Sequence, residues 1–202
     1  MKKILVIGSI NMDFIINVKH NPKVGETILA DNMKLMPGGK GANQAFAAGK
    51  LGGDVAMLGA VGKDSYGEQL SASLQKAGVW TGDLKWNEDC SSAIALVYVN
   101  ASGDNSIVVV PGANSTVDKA YIDEKKALIE ACDIVIFQLE IPVETVLYAA
   151  RAAHQLGKTV ILDPAPAVPD LPEELFQYVD YIKPNETELG MLTGKAIEDC
   201  RE

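Results

Sequence analysis

Short runs of consecutive apolar residues recur along the chain, and stretches with helical periodicity separate them. Such runs are typical of strands that are buried on both faces of a sheet. We interpret five runs as strands, at residues 4–7, 55–58, 134–139, 160–162 and 179–182. Five stretches, most of them closely followed by glycine, are interpreted as helices: residues 42–51, 66–77, 118–131, 143–156 and 186–192. The alternation predicts an α/β fold, with a mostly parallel sheet in a three-layer α/β/α arrangement.

Two segments interrupt this alternation. Residues 12–35 and 91–110 lack a helical period, and the second contains a loop of hairpin composition, Asn100-Ala-Ser-Gly-Asp-Asn105. We interpret both as antiparallel strands that form a small β lid over the carboxyl edge of the main sheet. The predicted division is an α/β core domain of residues 1–10, 37–90 and 111–202 and a β lid of residues 11–36 and 91–110. No predicted strand follows the last helix, so we expect this core domain to be incomplete.

The composition is that of an ordinary globular protein, with 48% hydrophobic and 22% charged residues among 202. The net charge is −9 and no basic run exceeds two residues, which argues against a nucleic-acid or anionic-membrane partner. No apolar run approaches the roughly 18 residues of a membrane span.

Cys90, Cys132 and Cys200 are far apart and both histidines are isolated. Neither a disulfide framework nor a metal motif is therefore predicted, and reduced thiols fit a cytoplasmic protein.

Polar side chains follow four of the five predicted strands. In chain order they are Asn11, Asp13, Glu140, Asp163, Asn185 and Glu188. In an open α/β sheet, ligands bind at the carboxyl ends of the strands. We therefore expect these carboxylate and amide groups to share one rim of the sheet and to form a ligand site there.

Asn11 and Asp13 are two residues apart, so in an extended chain their side chains point to the same face. An amide beside a carboxylate suits the hydroxyl groups of a sugar, because each hydroxyl both donates and accepts hydrogen bonds. The same spacing also fits a polar turn after a strand, in which Asn or Asp bonds to its own backbone.

A glycine-rich segment, Pro37-Gly-Gly-Lys-Gly-Ala-Asn-Gln44, opens the first predicted helix. Gly39 and Gly41 would let a ligand approach the backbone and the free N–H groups of the first turn, while Lys40 and Asn43 add side-chain donors. The alternative is a glycine turn that leads into a packing helix. The segment is not a phosphate-binding loop of the Gly-x4-Gly-Lys-Ser/Thr type, because glycine follows the lysine.

Asn185 and Glu188 fit a helix cap as well as a ligand site. Asn185 at the N-cap with Glu188 three residues later matches the amide-and-acid form of a capping box. A capped helix end at the rim is also a place for Mg²⁺ and phosphate, so the two roles are compatible. Asp163, in Asp163-Pro-Ala-Pro-Ala167, is interpreted most simply as part of a rigid strand exit.

Seven motifs, taken together, resemble the ribokinase-like carbohydrate kinase family, which also contains fructokinases and adenosine kinase. They occur in the family order over nearly the whole chain. The motifs are Gly8-Ser-Ile-Asn-Met-Asp13, Pro37-Gly-Gly-Lys-Gly-Ala-Asn-Gln-Ala45, Gly62-Lys-Asp-Ser-Tyr-Gly67, Pro111-Gly-Ala-Asn114, Gln138-Leu-Glu140, Asp163-Pro-Ala-Pro-Ala167 and Lys183-Pro-Asn-Glu-Thr-Glu188.

The resemblance implies a sugar kinase that transfers the γ-phosphoryl group of MgATP to the 5-hydroxyl of D-ribose. It implies that the sugar is bound by Asn11, Asp13, Gly39, Lys40, Gly41, Asn43 and Glu140. It further implies that Asn185 approaches the ATP phosphates and that Glu188 acts on Mg²⁺ through water. The alternatives are another pentose or nucleoside kinase, or a sugar-binding module that has lost catalysis.

One departure from the family pattern affects the expected activity. The Gly-Ala-Gly-Asp-like segment that carries the base Asp in the family is absent from the 202 residues. We expect it beyond Glu202, together with the adenine pocket and the loop for a monovalent cation, K⁺. The chain alone is therefore predicted to lack a catalytic base and to be inactive. The resemblance also implies a homodimer that is formed through the β lid.

Overall fold

The structure is a computed structural model that describes residues 2–168 and 170–195. Its strands are β1 (Lys3–Ile7), β2 (Asn11–Asn17), β3 (Asn32–Gly38), β4 (Asp54–Leu58), β5 (Ala60–Gly62), β6 (Val79–Trp80), β7 (Lys85–Asn87), β8 (Ala93–Val99), β9 (Asn105–Val110), β10 (Ile134–Phe137), β11 (Thr159–Leu162) and β12 (Tyr181–Ile182). Its α-helices are α1 (Lys40–Lys50), α2 (Ser65–Lys76), α3 (Lys119–Glu124), α4 (Lys126–Ala131), α5 (Val143–Gln155) and α6 (Glu186–Thr193). Two 3-10 helices cover Gly112–Thr116 and Glu173–Tyr178.

A six-stranded parallel sheet forms the centre, in the order β12-β11-β10-β1-β4-β6. Successive side chains of β1 alternate between its two faces. Leu5 and Ile7 pack in a core with α3, α4 and α5, whereas Val6 packs in a second core with α1 and α2. Helices therefore cover both faces of the sheet, and the predicted three-layer α/β/α fold is confirmed.

A second, four-stranded sheet has the order β3-β2-β8-β9 and supplies the small lid-like layer. The β2–β3 and β8–β9 pairs are antiparallel hairpins, and the two hairpins are joined by a parallel pairing of β2 with β8. Asn11, the first residue of β2, pairs with Gly38 on one side and with Ala93 on the other. The strands of this sheet therefore meet the central domain at the rim that follows β1.

Several elements differ from the sequence interpretation. The predicted helix at residues 118–131 is broken at Lys125, whose side chain forms an ion pair with Asp83 at 3.2 Å between Nζ and Oδ1. The predicted strand at 179–182 is reduced to β12, and a 3-10 helix that was not predicted ends at Tyr178. The short parallel pair of β5 with β7 was not predicted.

Two of the three cysteines lie in the described part of the chain. Cys90 and Cys132 are free thiols, and Cys200 lies outside the described part of the chain. Within residues 2–168 and 170–195, no helix has both the length and the apolar character needed to cross a membrane.

Candidate active site

The centre of the site is the Asp13 carboxylate, which projects from β2 and is half-buried. The pKa of Asp13 is raised to about 6, mainly by burial and also by the negative charge of Glu140, while the positive charge of Lys40 lowers it. These three side chains therefore lie within electrostatic reach of one another. They come from the lid, from the loop after β10 and from the first residue of α1.

Glycine allows the backbone of the turn before α1 to approach this carboxylate. A Cβ atom on Gly38 would overlap the Asp13 carboxylate. Gly39 has a φ of +91°, and a Cβ atom there would lie 2.7 Å from the Asn11 backbone nitrogen. A Cβ on Gly41 would lie 2.8 Å from the Ser9 backbone nitrogen. The glycine run is thus required by close packing of the turn against β1 and β2, and the same packing brings Asp13 to the start of α1.

Glu140 is held against the first turn of α1. Its Oε2 accepts hydrogen bonds from Ser9 Oγ at 2.5 Å and from the Lys40 backbone N–H at 3.2 Å. The Ser9 Oγ in turn accepts a bond from the Gly41 backbone N–H at 3.3 Å. A carboxylate at the N-terminus of a helix is stabilised by the free N–H groups and by the helix dipole. Ser9, which sequence reasoning did not single out, therefore fixes the position of Glu140.

Asn11 is buried in the floor of the site, and it belongs to a strand rather than to a polar turn. Its Oδ1 accepts a hydrogen bond of 2.7 Å from Nδ2 of Asn114, which is also buried. Asn11 and Asp13 occupy alternate positions of β2 and so point to the same face. Asn114 was part of a recognised motif, but it had no predicted role.

Lys40, which affects the pKa of Asp13, also lines a cavity of about 430 Å³, referred to below as the second cavity. Its lining residues are Lys40, Asn43, Gln44, Ile136, Ile161, Asp163 and Lys183. Gln44 Nε2 donates to Asp163 Oδ2 at 2.8 Å, and the Nζ atom of Lys183 lies 4.0 Å from Asp163 Oδ1. Burial raises the pKa of Asp163, and the charge of Lys183 opposes this shift. Asp163 therefore lines a cavity that also contains the charged side chains of Lys40 and Lys183.

A buried glutamine supports this second cavity. Gln138 is fully buried at the end of β10 and donates from Nε2 to Gln44 Oε1 at 2.5 Å. Because Gln44 Nε2 donates to the carboxylate of Asp163, the atom of Gln44 that faces Gln138 is its oxygen. Gln138 must then present its nitrogen, so the orientation of both amides is fixed. Gln138 stands out in sequence as a polar residue inside an apolar run, and this is the signal that could have identified it.

Asn185 and Glu188 form the predicted capping box at the start of α6. Asn185 Oδ1 accepts from the Glu188 backbone N–H at 2.8 Å, and Glu188 Oε2 accepts from the Asn185 backbone N–H at 2.8 Å. The charge of Glu188 also raises the pKa of Asp163, so α6 begins close to the second cavity.

The predicted residues thus fall into two adjoining groups. The first group, Asn11, Asp13, Gly39, Lys40, Gly41 and Glu140, lies together around the start of α1. Asn43 is exposed and lines the second cavity, and Glu188 is near enough to this cavity for its charge to raise the pKa of Asp163. Asn185 is exposed at the outer end of this arrangement. The first group contains the carboxylates of Asp13 and Glu140, and the second cavity is lined by Lys40 and Lys183. This arrangement is suited to binding a polyol beside a phosphate.

Comparison with known proteins identifies the family. The sequence model described as pfkB family carbohydrate kinase matches residues 1–202. The chain belongs to this family. The resemblance inferred from the seven motifs is thereby confirmed.

Curated relatives of this family member include sugar kinases from fungi and bacteria. The ribokinase of Schizosaccharomyces pombe is 39% identical over 202 residues, covering 97% of this chain and 63% of that protein. The ribokinase of Bacillus subtilis is 43% identical over 192 residues, covering 95% and 65%. The deoxyribokinase of Salmonella typhimurium is 38% identical over 195 residues, covering 96% and 64%. The chain therefore spans 63–65% of the length of these relatives.

Solved structures of pfkB-type kinases have the same fold. The ribokinase of Arabidopsis thaliana, complexed with ribose and ATP, has a TM-score of 0.88 at 32% identity, covering 98% of this chain and 65% of that one. The ribokinase of Giardia lamblia has a TM-score of 0.90 at 30% identity, covering 98% and 62%. The fold described above is thus shared with ribokinases whose structures are known.

Membership of this kinase family implies Mg²⁺, and the residues at the second cavity suit that ion. The carboxylates of Asp163 and Glu188 are close enough for the charge of one to affect the pKa of the other. In the part of the chain that the structure describes, no group of three or more His, Cys, Asp or Glu residues could hold a metal ion. Two carboxylates fit Mg²⁺, which is usually held by one or two carboxylates together with substrate phosphates and water.

Proposed function

We propose that this protein is an ATP-dependent sugar kinase that phosphorylates the 5-hydroxyl of D-ribose. The convergence of Asp13, Lys40 and Glu140 in one compartment, next to a cavity with two lysines, is the observation that carries the proposal. The relatives named ribokinase and deoxyribokinase support a pentose as the substrate. The negative net charge is no obstacle to ATP, because a helix N-terminus and a few lysines provide a local anion site.

In the sugar compartment each residue has a distinct task. Asp13 accepts hydrogen bonds from sugar hydroxyls, and its partial burial makes these bonds stronger than they would be in water. Asn11 supplies an amide on the same face of β2. Gly39 and Gly41 allow the first turn of α1 to pack against the chain segment that carries Asn11, while Glu140 accepts a further hydrogen bond from a sugar hydroxyl. Positioning of the sugar hydroxyl is a main contribution to phosphoryl transfer.

In the adjoining cavity the residues are suited to phosphates. Lys40 lies between the two compartments, where it can neutralise the group that moves from one to the other. Lys183, Asn43 and Asn185 line or border the path of the nucleotide phosphates. Asp163 and Glu188 would hold Mg²⁺, directly or through water, and the bound ion would neutralise phosphate charge.

The remaining parts of the reaction lie, on this proposal, in family segments that the 202 residues do not contain. These are the base Asp of a Gly-Ala-Gly-Asp-like segment, the adenine pocket and the loop for K⁺. The β lid would close over the sugar and exclude water, so that ATP meets a sugar hydroxyl instead of being hydrolysed. We place this activity in the cytoplasm, consistent with the free thiols of Cys90 and Cys132.

A coupled assay of ADP release tests the function. The protein as its gene encodes it is compared with the 202-residue chain, using ribose, 2-deoxyribose and adenosine as substrates. We expect the encoded protein to prefer ribose by at least about tenfold in kcat/KM, a difference of about 1.4 kcal/mol. We expect no turnover by the 202 residues alone, because no base is available. A preference for adenosine would indicate a nucleoside kinase instead of a sugar kinase. Efficient turnover by the 202-residue chain would show that these residues already contain a catalytic base.

We further propose that the lid sheet forms a homodimer. Strand β9 is an edge strand, and its residues 107–110 are all apolar and between 42% and 55% exposed. On β3, Met33 and Leu35 are also exposed. A long apolar edge strand normally has to be covered, and the same edge of a second copy is self-complementary about a two-fold axis.

Sedimentation velocity tests the dimer. We expect the wild-type protein to sediment as a dimer at micromolar concentration and the double variant Ile107→Asp/Val109→Asp as a monomer, because two charges would be buried in the contact. Val24→Asp, a change at a fully exposed valine in a loop of the same lid, is the control and should remain dimeric. A wild-type monomer at these concentrations would contradict the proposal.

A further inference from the structure

Asn114 is a buried residue that lies directly beneath Asn11 and makes three hydrogen bonds there. Its Oδ1 accepts from the Ile10 backbone N–H at 3.1 Å. Its Nδ2 donates to Asn11 Oδ1 at 2.7 Å and to the Ile10 backbone carbonyl at 3.4 Å. All the polar atoms of the Asn114 side chain are therefore used within the protein.

The polarity of the backbone fixes the orientation of both amides. A backbone N–H can only donate, so the Asn114 atom facing Ile10 N must be the oxygen. The Asn114 nitrogen then faces Asn11, and the Asn11 atom at 2.7 Å must be an oxygen because two amide nitrogens would repel each other. It follows that Nδ2 of Asn11 points away from Asn114. Within residues 2–168 and 170–195 this nitrogen donates to no protein acceptor, and it is not among the buried unsatisfied atoms.

We propose that Asn114 is a positioning residue that holds Asn11 as a hydrogen-bond donor toward the sugar. Asn11 would then donate to a sugar oxygen, while Asp13, two residues along the same strand, accepts from a sugar hydroxyl. Together they form a donor and acceptor pair that matches two neighbouring hydroxyls. The inference rests on the proposed sugar site, and it adds to that site a residue that does not touch the substrate.

The variant Asn114→Asp tests this role with almost no change in shape. The aspartate can still accept from Ile10 N–H, but it cannot donate to Asn11. Asn11 would rotate its amide to donate to the new carboxylate and would present its oxygen to the sugar. We expect the Kd for ribose, measured by calorimetry on the protein as its gene encodes it, to rise at least about tenfold, which is about 1.4 kcal/mol. The KM for ATP should remain within about twofold, because ATP does not contact this pair.

Two further variants make the result decisive. Asn87→Asp is the matched control, because the Asn87 Oδ1 only accepts bonds, from the backbone N–H groups of Asp89 and Cys90, and a carboxylate can replace it. We expect it to bind ribose like the wild type. Asn11→Asp leaves Asn114 in place but presents only an acceptor to the sugar, and we expect it to lose ribose affinity to the same extent as Asn114→Asp.

The outcomes separate this inference from the proposed function. If the wild-type protein binds no sugar, the proposed function fails first. If the wild type binds ribose and a folded Asn114→Asp protein binds it within about twofold as well, Asn114 does not orient Asn11. If Asn114→Asp fails to melt cooperatively, Asn11→Asp decides the question, and wild-type affinity in that variant would overturn the proposal.

Discussion

Replacement of Asp13 by Asn is expected to weaken ribose binding at least about hundredfold at pH 7.5, a loss of about 2.8 kcal/mol. Hydrogen bonds to a charged group contribute about 1.5–3 kcal/mol each, and this carboxylate can accept from more than one hydroxyl. An amide at the same position offers one acceptor instead of two and places N–H donors against hydroxyl hydrogens. The measurement is calorimetric titration with ribose, and Asp31→Asn, a change at an exposed aspartate of the lid, should leave the affinity unchanged.

The same substitution should not destabilise the protein, and this separates a binding role from a structural one. The pKa of Asp13 is raised in the folded state to about 6 from an ordinary value of 3.8. The folded protein therefore holds its proton more tightly than the unfolded chain, and the free energy of unfolding falls as the pH rises from about 4 to about 6. Above pH 6 the ionised carboxylate opposes folding, so Asp13→Asn should unfold at an equal or higher urea concentration than the wild type.

Ribose affinity should show the opposite dependence on pH. If the ionised form binds the sugar, the Kd rises about tenfold for each pH unit below about 6 and is level above it. For Asp13→Asn, the Kd for ribose should not rise in this way below about pH 6. Wild-type affinity that stays constant between pH 5 and pH 8 would show that the charge of Asp13 is not used in binding.

The sequence predicted the parts of the fold whose signal is local. Strands β1, β4 and β10 were found from continuous apolar runs, because strands that are buried on both faces have no polar alternation. The pair of β5 with β7 was missed, since β7 consists of Lys85, Trp86 and Asn87 and is a strand only through its pairing with β5. The break at Lys125 was also missed, and Lys125 forms an ion pair with the distant residue Asp83.

In the candidate site, too, residues with a local signal could be predicted and residues that depend on distant partners could not. Asp13 and Glu140 could be selected because each follows a strand predicted from an apolar run, and the carboxyl ends of parallel strands share a rim. The residues that hold them in place could not be selected in this way. Ser9 is 131 positions from Glu140, and Asn114 is 103 positions from Asn11. Such pairs are created by the topology of the sheet, which brings β1, β2 and β10 together, and no periodicity in the sequence records them.

Replacement of Gly39 by Ala is expected to lower the free energy of unfolding by about 3 kcal/mol or more. The positive-φ backbone at Gly39 costs an L-residue about 1–3 kcal/mol, and overpacking costs about 1–3 kcal/mol. Both terms apply here, because φ is +91° and the added Cβ would lie 2.7 Å from Asn11 N and 2.9 Å from Ile10 Cα. Those atoms belong to the backbone and cannot rotate away. The variant should also lose ribose binding, since β2 and the start of α1 must separate.

Gly52→Ala is the control that separates the two costs, and both variants are compared by urea unfolding at equilibrium. Gly52 follows the same helix and has a similar φ of +85°, but no atom lies within 4 Å of an added Cβ. We expect it to lose only the conformational cost, about 1–2 kcal/mol, and to keep its ribose affinity. The difference between the two variants then measures how closely the turn before α1 packs on β2. Equal losses for both would mean that Gly39 is needed only for its backbone angles, and that this close contact does not hold Asp13, Asn11 and the helix N-terminus together.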